Sequence, residues 1–357
     1  MKVDSLTINH HTYSQKSLIE LCDSKIRDVI TPSWEKEVYG FILQWLDDSE
    51  TIIQYSSGTT GKSKMIRLPK LAMIRSAEST CRFFKLTRGQ TAVLCLPMEY
   101  IAGKMMVVRS MVCGLDLCII EPRSKPAFQD MEKIDFCAMV PFQVINTWSS
   151  ISNLPAIRIL IIGGAEVSKE LENLVRNIPV EVYATYGMAE TCSHIALRRI
   201  NGPQPETWYR TLPGIKIDTD QRDCLVILAS YLPAPVITND QVQLAGNGRF
   251  RWIGRFDNLI NSGGIKVVPE EVESVLADKT GIECALIGLP DEKLGQRLVL
   301  VTENQDTQSD EAIRMELSGL IPPKLLPKNI IRIENFPRNS SFKIDRVKLA
   351  RLVYEMR

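Results

Sequence analysis

Between residues 90 and 200 short β-branched runs alternate with amphipathic stretches, the pattern of a sheet covered by helices. The strand candidates are TAVLCLP (91–97), LDLCII (115–120), DFCAMVP (135–141), IRILIIGG (157–164) and VEVYATYG (180–187). Helices are expected near 99–113, 142–150 and 168–177. The last two strands run into glycine turns, and open α/β sheets collect ligands at the carboxyl ends of their strands, so chemistry is expected there. From 206 to 254 the pattern shifts to short pieces rich in Pro, Gly and Trp, including CLVILASYL (224–232) and GRFRWIG (248–254), which predict a small β subdomain.

A polar, glycine-bearing crossing follows, GRFDNLINSGGIKVVPEEVESVL (254–276). It ends in a helix that Pro269 can start and whose positive end suits Glu270 and Glu271. Beyond it, ECALIGLP (283–290), RLVLVTE (297–303), a helix at 311–320 and IIRIENFP (330–337) predict a compact α+β module. The expected fold class is therefore α/β. A large N-terminal domain (1–256) has an α/β sheet core and a small β subdomain, and a hinge joins it to a small α+β C-terminal domain (257–357).

The 357 residues suffice for two such domains, and 45% hydrophobic content excludes a disordered chain. With 43 basic against 42 acidic residues the formal charge of +1 exerts no long-range pull on polyanions, so nucleic acid is not an expected partner. The most apolar stretch, 105–120, is interrupted by Arg109 and Asp116, and no membrane span is expected. The start MKVDSLTINHHTY lacks an apolar leader core, and the nine cysteines show no CxxC spacing; both favour a reducing cytoplasm. Cys95, Cys113, Cys118, Cys137 and Cys284 lie in apolar runs and read as small buried hydrophobes. With only His10, His11 and His194, a zinc site is not expected.

The run YSSGTTGKSK (55–64) gathers hydroxyls, two glycines and two lysines after a strand-like TIIQ, as a phosphate cradle requires. Glycines let backbone N–H groups approach phosphate oxygens, hydroxyls donate further bonds and lysines neutralise charge. Gly61-Lys62-Ser63 matches the second half of a Walker A loop, but Ser56 stands where that motif needs its first glycine. The loop instead resembles that of the adenylate-forming enzymes (acyl-CoA synthetases, luciferases and adenylation domains), Y/F-S/T-S-G-S/T-T-G-x-P-K-G. It departs only at Ser63 and Met65, which replace Pro and Gly.

Further tracts resemble family motifs in order. Gly163-Gly164-Ala165 resembles the adenine turn; Tyr186-Gly187-Met188-Ala189-Glu190-Thr191 resembles the aromatic-Gly-x-Ser/Thr-Glu-Thr motif. The resemblance implies Tyr186 stacked on adenine, Glu190 on Mg²⁺ and Thr191 near phosphate or substrate carboxylate, with Ala189 replacing a hydroxyl. Thr238-Asn239-Asp240 resembles TGD, implying Asp240 on ribose, and Gly254-Arg255-Phe256-Asp257 resembles GRxD, implying Arg255 beside ribose and phosphate and Asp257 as the hinge. SGGIKVVPEEVE (262–273) resembles the segment that approaches CoA, through Gly263, Gly264 and Lys266. PRNSSFKIDR (337–346) resembles PRTxxGKxxR, which makes Lys343 the adenylation lysine, with Phe342 in place of glycine.

The implied catalytic set is Lys343, Glu190 and Thr59, and the implied phosphate cradle is Ser56, Ser57, Gly58, Thr59, Thr60, Gly61 and Lys64. ATP/AMP, Mg²⁺ and coenzyme A follow as cofactor and co-substrates. The tract YGMAETCSHIALRRI (186–200) resembles YGMTETCSQ of the family's o-succinylbenzoate-CoA ligases, implying that acid and menaquinone synthesis. In the family's P-x-x-H-x-x-G segment, here 97–103, Tyr100 stands at the gate histidine. The second carboxylate of such an acid needs a charged partner; Lys104, then Arg109, are the candidates, and His194 can contribute. Only 54 residues precede the loop, so a reduced N-terminal region is expected. Carrier-protein loading, a non-catalytic nucleotide sensor and a homo-oligomeric state stay open.

Overall fold

The computed structural model describes residues 5–56, 64–128, 131–148, 156–304, 309–318, 323, 326–327, 329–338 and 344–356. The chain begins with a hairpin of β1 (Ser5–Ile8) and β2 (His11–Ser14), whose turn residues Asn9 and His10 have φ of 47° and 68°, as a two-residue turn of this hand requires. Ser14 caps α1 (Gln15–Arg27) by accepting from the Ser17 N–H. In α2 (Ser33–Leu46), Val38, Phe41, Ile42 and Trp45 recur at helical spacing and are buried. An antiparallel pair, β3 (Thr51–Ser56) and β4 (Lys64–Pro69), leads into α3 (Lys70–Phe83).

The α/β core follows as β5 (Thr91–Leu94), α4 (Ile101–Cys113), β6 (Asp116–Ile119), β7 (Lys133–Met139), α5 (Pro141–Trp148), β8 (Ala156–Ile162), α6 (Lys169–Val175) and β9 (Glu181–Gly187). Gly114 in the left-handed conformation, φ 65°, terminates α4. Strands β1, β6, β5, β7, β8 and β9 pair in parallel in that spatial order. Parallel strands covered on both faces read as unbroken apolar runs, and the two faces separate cleanly. Ala92, Leu94, Phe136, Ala138, Ile159 and Ile161 enter one core cluster; Val93, Cys95, Cys137, Met139, Leu160 and Ile162 enter the other.

The next strands, β10 (His194–Arg199), β11 (Tyr209–Thr211), β12 (Ile215–Thr219), β13 (Cys224–Ala229), β14 (Val236–Leu244) and β15 (Arg249–Arg255), are antiparallel. They continue the same ladder, so the described residues form one mixed sheet of 13 strands. A second sheet holds β16 (Ile260–Ser262), β17 (Ile265–Val267), β18 (Cys284–Asp291), β19 (Gly295–Glu303) and β20 (Asn329–Ile333). Helices α7 (Pro269–Thr280), α8 (Asp310–Ser318) and α9 (Arg346–Glu355) accompany it. Its two faces have their own clusters, one around Leu286, Leu298 and Leu300 and one around Ile287, Val299 and Val301.

The reading of Cys113 as a free buried residue is corrected: it is joined to Cys81 by a disulfide, Cα atoms 6.7 Å apart. Both lie in last turns, of α3 and α4, which pack against each other; a pairing across 32 residues leaves no spacing signal. The other seven cysteines form no disulfide among the described residues and are buried. Among the described residues no helix is long and apolar enough to cross a membrane.

Candidate active site

Three motif segments lie at the carboxyl ends of β5, β8 and β9, parallel strands of one sheet, where an open α/β sheet leaves a crevice. After β8, a Cβ on Gly163 would lie 2.2 Å from Thr185 Oγ1, and Gly164 has φ +81°. Only glycine permits that contact between the turn and β9. Ala165, half-buried, ends the turn. At the end of β9, a Cβ on Gly187 would lie 2.4 Å from His194 Cα, so glycine there lets β10 return directly beside its predecessor.

Tyr186 donates its hydroxyl to Asp240 Oδ2 at 2.7 Å, and its ring meets Phe250 edge-on with centroids 5.0 Å apart. Burial, then the Asp240 charge, push the phenol well above its usual pKa, which keeps it a donor. Asp240 sits directly opposite Arg255 across β14 and β15, carboxylate to guanidinium 3.4 Å. Arg255 also reaches Asp257 at 2.8 Å, and Asp257 accepts from Asn239 at 2.9 Å. The structure thus brings Tyr186, Asp240, Arg255 and Asp257 together. Asn239 makes no turn: it lies within β14 and accepts from Arg222 at 2.8 Å. Arg222, 17 residues upstream, carries no signal of this role in the sequence.

Glu190 occupies a short 3-10 turn, Ala189–Thr191, half-buried, and its carboxylate has no hydrogen-bond or ion-pair partner among the described residues. A hard divalent cation suits such a carboxylate. Thr191 is different from its expected role. It is fully buried, and its hydroxyl accepts from the Met188 N–H at 3.1 Å and donates to the Ser193 carbonyl at 2.7 Å. It closes the turn and has no proton left for a phosphate.

Ser56 ends β3 and exposed Lys64 begins β4, paired with each other across the hairpin. Ser57, Gly58, Thr59, Thr60 and Gly61, and likewise Lys343, lie outside the described residues. Gly263 and Gly264, φ 59° and 81°, are the two turn residues of the β16–β17 hairpin, and Lys266 stands exposed on β17.

On the acyl side, a Cβ on Gly103 would lie 2.4 Å from the Pro97 carbonyl oxygen, so the first turn of α4 rests on the segment after β5. Tyr100 immediately precedes α4, with its hydroxyl buried and without a hydrogen-bond partner among the described residues. Lys104 was the first candidate for a second carboxylate, but the structure commits it elsewhere. Its ammonium donates to Gln54 Oε1 at 2.8 Å and to the Ile53 carbonyl at 3.3 Å, and lies 5.9 Å from the Phe41 ring centroid. Burial lowers its pKa.

Arg109 is 2% exposed and has no acidic partner among the described residues. Its guanidinium donates to Ser193 Oγ at 2.6 Å, lies 3.4 Å from His194 Nδ1 and 6.0 Å from the Phe136 ring, and its Nε has no partner among the described residues. Burial pulls it down to about 9, which leaves it charged at neutral pH. His194 Nε2 lies 3.1 Å from Thr80 Oγ1, and that hydroxyl gives its proton to the Ser76 carbonyl at 3.1 Å. Nε2 therefore carries the histidine proton, and Nδ1 turns its lone pair to Arg109. Burial, then the Arg109 charge, hold His194 well below its usual pKa, so it is neutral. A buried charge without a counter-ion is strongly destabilising. Here that charge is cradled by neutral acceptors alone, an arrangement suited to receiving an anion. Thr80 and Ser193 escaped the sequence reading; Thr80 is 114 residues from its histidine and has no motif around it.

The model of the AMP-binding enzyme family matches residues 32–219. A 2-succinylbenzoate–CoA ligase of Lactococcus lactis subsp. lactis is 23% identical over 324 residues, spanning 85% of this chain and 71% of that protein. An acyl-CoA synthetase (AMP-forming)/AMP-acid ligase II-like protein from Dyadobacter fermentans is 32% identical, with TM-score 0.59 and 94% and 97% of the two chains covered. The o-succinylbenzoate CoA synthetase of Bacillus subtilis, solved with its acyl-adenylate intermediate, shares the fold at TM-score 0.72 and 21% identity, covering 83% of this chain and 68% of that one.

Proposed function

The chain belongs to the AMP-binding enzyme family, and we propose that it activates o-succinylbenzoate as an acyl-adenylate and passes the acyl group to coenzyme A. At the coarser level it is an AMP-forming acid–CoA ligase. A carboxylate is a poor electrophile because its leaving group would be oxide. Attack of its oxygen on the α-phosphorus of ATP, with pyrophosphate departing, replaces that leaving group by AMP. The thiol of CoA then displaces AMP and the thioester forms.

Residues of this chain divide that work. Asp240 and Arg255 would hold the ribose, Tyr186 and the Gly163–Ala165 turn the adenine, and the loop from Ser56 to Lys64 the phosphates. Glu190 would bind Mg²⁺, which when present offsets the charge gathering on the departing pyrophosphate. Lys343 would neutralise the carboxylate and α-phosphate as they meet. The segment 257–357, pivoting at Asp257, would bring Lys343 in for the first step and Gly263, Gly264 and Lys266 towards the CoA thiol for the second.

The observation that carries the choice of acid is the buried guanidinium of Arg109, which has no acidic partner among the described residues. A pocket for a simple aryl or fatty acid gains nothing from it and bears the cost of burying it. An acid with a second carboxylate supplies the missing charge, and Ser193 and His194 hold the fork in place. The test is pyrophosphate release with ATP and Mg²⁺ over o-succinylbenzoate, benzoate, a medium-chain fatty acid and an amino acid, with and without CoA. Turnover confined to o-succinylbenzoate with a CoA thioester found by mass is the expected result. Adenylate that persists after CoA is added would point to a carrier-protein thiol, and silence across the panel to a nucleotide sensor.

The ribose assignment makes its own prediction. Asp240→Asn keeps the shape and a carbonyl for the Tyr186 hydroxyl but removes the charge that ribose hydroxyls would meet. Hydrogen bonds to charged groups contribute about 1.5–3 kcal/mol, so KM for ATP should rise about tenfold or more while KM for the acid changes little. An unchanged KM for ATP would remove Asp240 from the nucleotide site.

A further inference from the structure

We infer that the Cys81–Cys113 disulfide is a redox-dependent positioning device for the buried guanidinium of Arg109, an inference that rests on Arg109 receiving the second carboxylate of the acid. The two cysteines bracket the receptor. Cys113 follows Arg109 by four residues in α4, one turn along the same face. Cys81 directly follows Thr80, the α3 residue whose hydroxyl accepts the His194 proton. Each helix thus supplies one wall, and the bridge fastens their last turns to each other.

The geometry gives that fastening a purpose. Arg109 is held by three neutral partners, Ser193 Oγ at 2.6 Å, His194 Nδ1 at 3.4 Å and Met106 Sδ at 3.7 Å, with no ion pair among the described residues to keep it there. Hydrogen bonds weaken steeply with length and angle, so a slip between α3 and α4 of a fraction of an ångström moves Thr80 and His194 relative to Arg109 and loosens the fork. Cys113 is the last residue of α4, which Gly114 terminates, so the crosslink fastens the very end of the helix.

The bond forms by thiol–disulfide exchange. The Cys113 thiolate, half-exposed where Cys81 is buried, attacks a low-molecular-weight disulfide and releases one thiol. The Cys81 thiolate then attacks Cys113 Sγ and displaces the second thiol. The pair loses two protons and two electrons, and the oxidant becomes two thiols.

The experiment uses the full chain, reduced with a phosphine and desalted, then divided and one half reoxidised with oxidised glutathione. Peptide mass reads the crosslink. KM for o-succinylbenzoate and for ATP are read from pyrophosphate release without CoA, whose thiol would itself reduce the bridge. The oxidised half should show the 81–113 crosslink and a KM for the acid about fivefold lower, the low end of couplings between sites, with kcat and KM for ATP within about twofold. Cys81→Ser/Cys113→Ser should behave as the reduced form under both treatments, while Cys22→Ser, a buried free cysteine of α1, keeps the response. A crosslink absent after oxidation, or a KM for the acid indifferent to it while o-succinylbenzoate turns over, overturns the inference alone. If neither form turns over o-succinylbenzoate, the Arg109 reading falls and takes the inference with it.

Discussion

Arg109→Met should cost about 10²–10⁴-fold in kcat/KM for o-succinylbenzoate and at the same time raise the melting temperature. The first effect follows from losing two charge-assisted hydrogen bonds to the second carboxylate, each about 1.5–3 kcal/mol, where about 1.4 kcal/mol is a factor of ten. The second follows from the absence of an acidic partner for Arg109 among the described residues. Replacing a buried charge by an apolar side chain of similar length stabilises by roughly 1–4 kcal/mol in the cases where partners exist, and the gain is at least as direct where none does. Each kcal/mol corresponds to about 2–4 °C for a folding unit of this size. Opposite signs for activity and stability are the signature of a residue kept for binding. Thermal melts and steady-state kinetics on the one variant decide it: a lower melting temperature with undiminished kcat/KM would make Arg109 a structural residue and end the dicarboxylate reading.

Lys343→Ala should reduce adenylate formation about 10²–10³-fold, the loss expected when one preorganised donor to a developing charge is removed. Thioester formation from supplied acyl-adenylate and CoA should stay within a few-fold of the parent, because the second half-reaction would present a different face of the 257–357 segment. The described flanks of that lysine are anchored: Arg338 and Ile344 pair as an antiparallel bridge, and Arg338 reaches Glu283 at 2.6 Å. Loss of a single side chain should leave these ties intact. Measuring the half-reactions separately tests the assignment, and an equal loss in both would show that Lys343 serves the fold or a shared step.

What could be read in advance followed from how locally each feature is encoded. The parallel strands showed as unbroken apolar runs because both of their faces are covered, and α7 announced itself through Pro269 and its acidic first turn. The contact between Asp240 and Arg255, only 15 residues apart, joins two tracts that were visible as motifs. The helices before residue 84 were missed although Val38, Phe41, Ile42 and Trp45 carry a plain helical stripe. Asn239, which stands where the resembled motif has glycine, lies in a strand. Lys104 and Arg109 were both visible as charges on one helix. Their order was reversed because only packing shows that Gln54 occupies the first while nothing acidic among the described residues meets the second. Thr80 with His194, and Cys81 with Cys113, exist as pairs only after α3 and α4 are laid together.

The single ladder that runs from β12 to β2 has an engineering consequence. The strands that carry Tyr186, Asp240 and Arg255 and the strands on which α4 rests are hydrogen-bonded into one plate, and the Arg109 cluster is assembled from α3, α4 and, where β10 begins within that plate, Ser193 and His194. On the proposed reading, acid preference would rest on these few side chains beside a nucleotide platform. Retargeting the ligase to another acid would then centre on Arg109, Ser193, His194 and Thr80, exchanged as a set with the strand pairing of the plate kept.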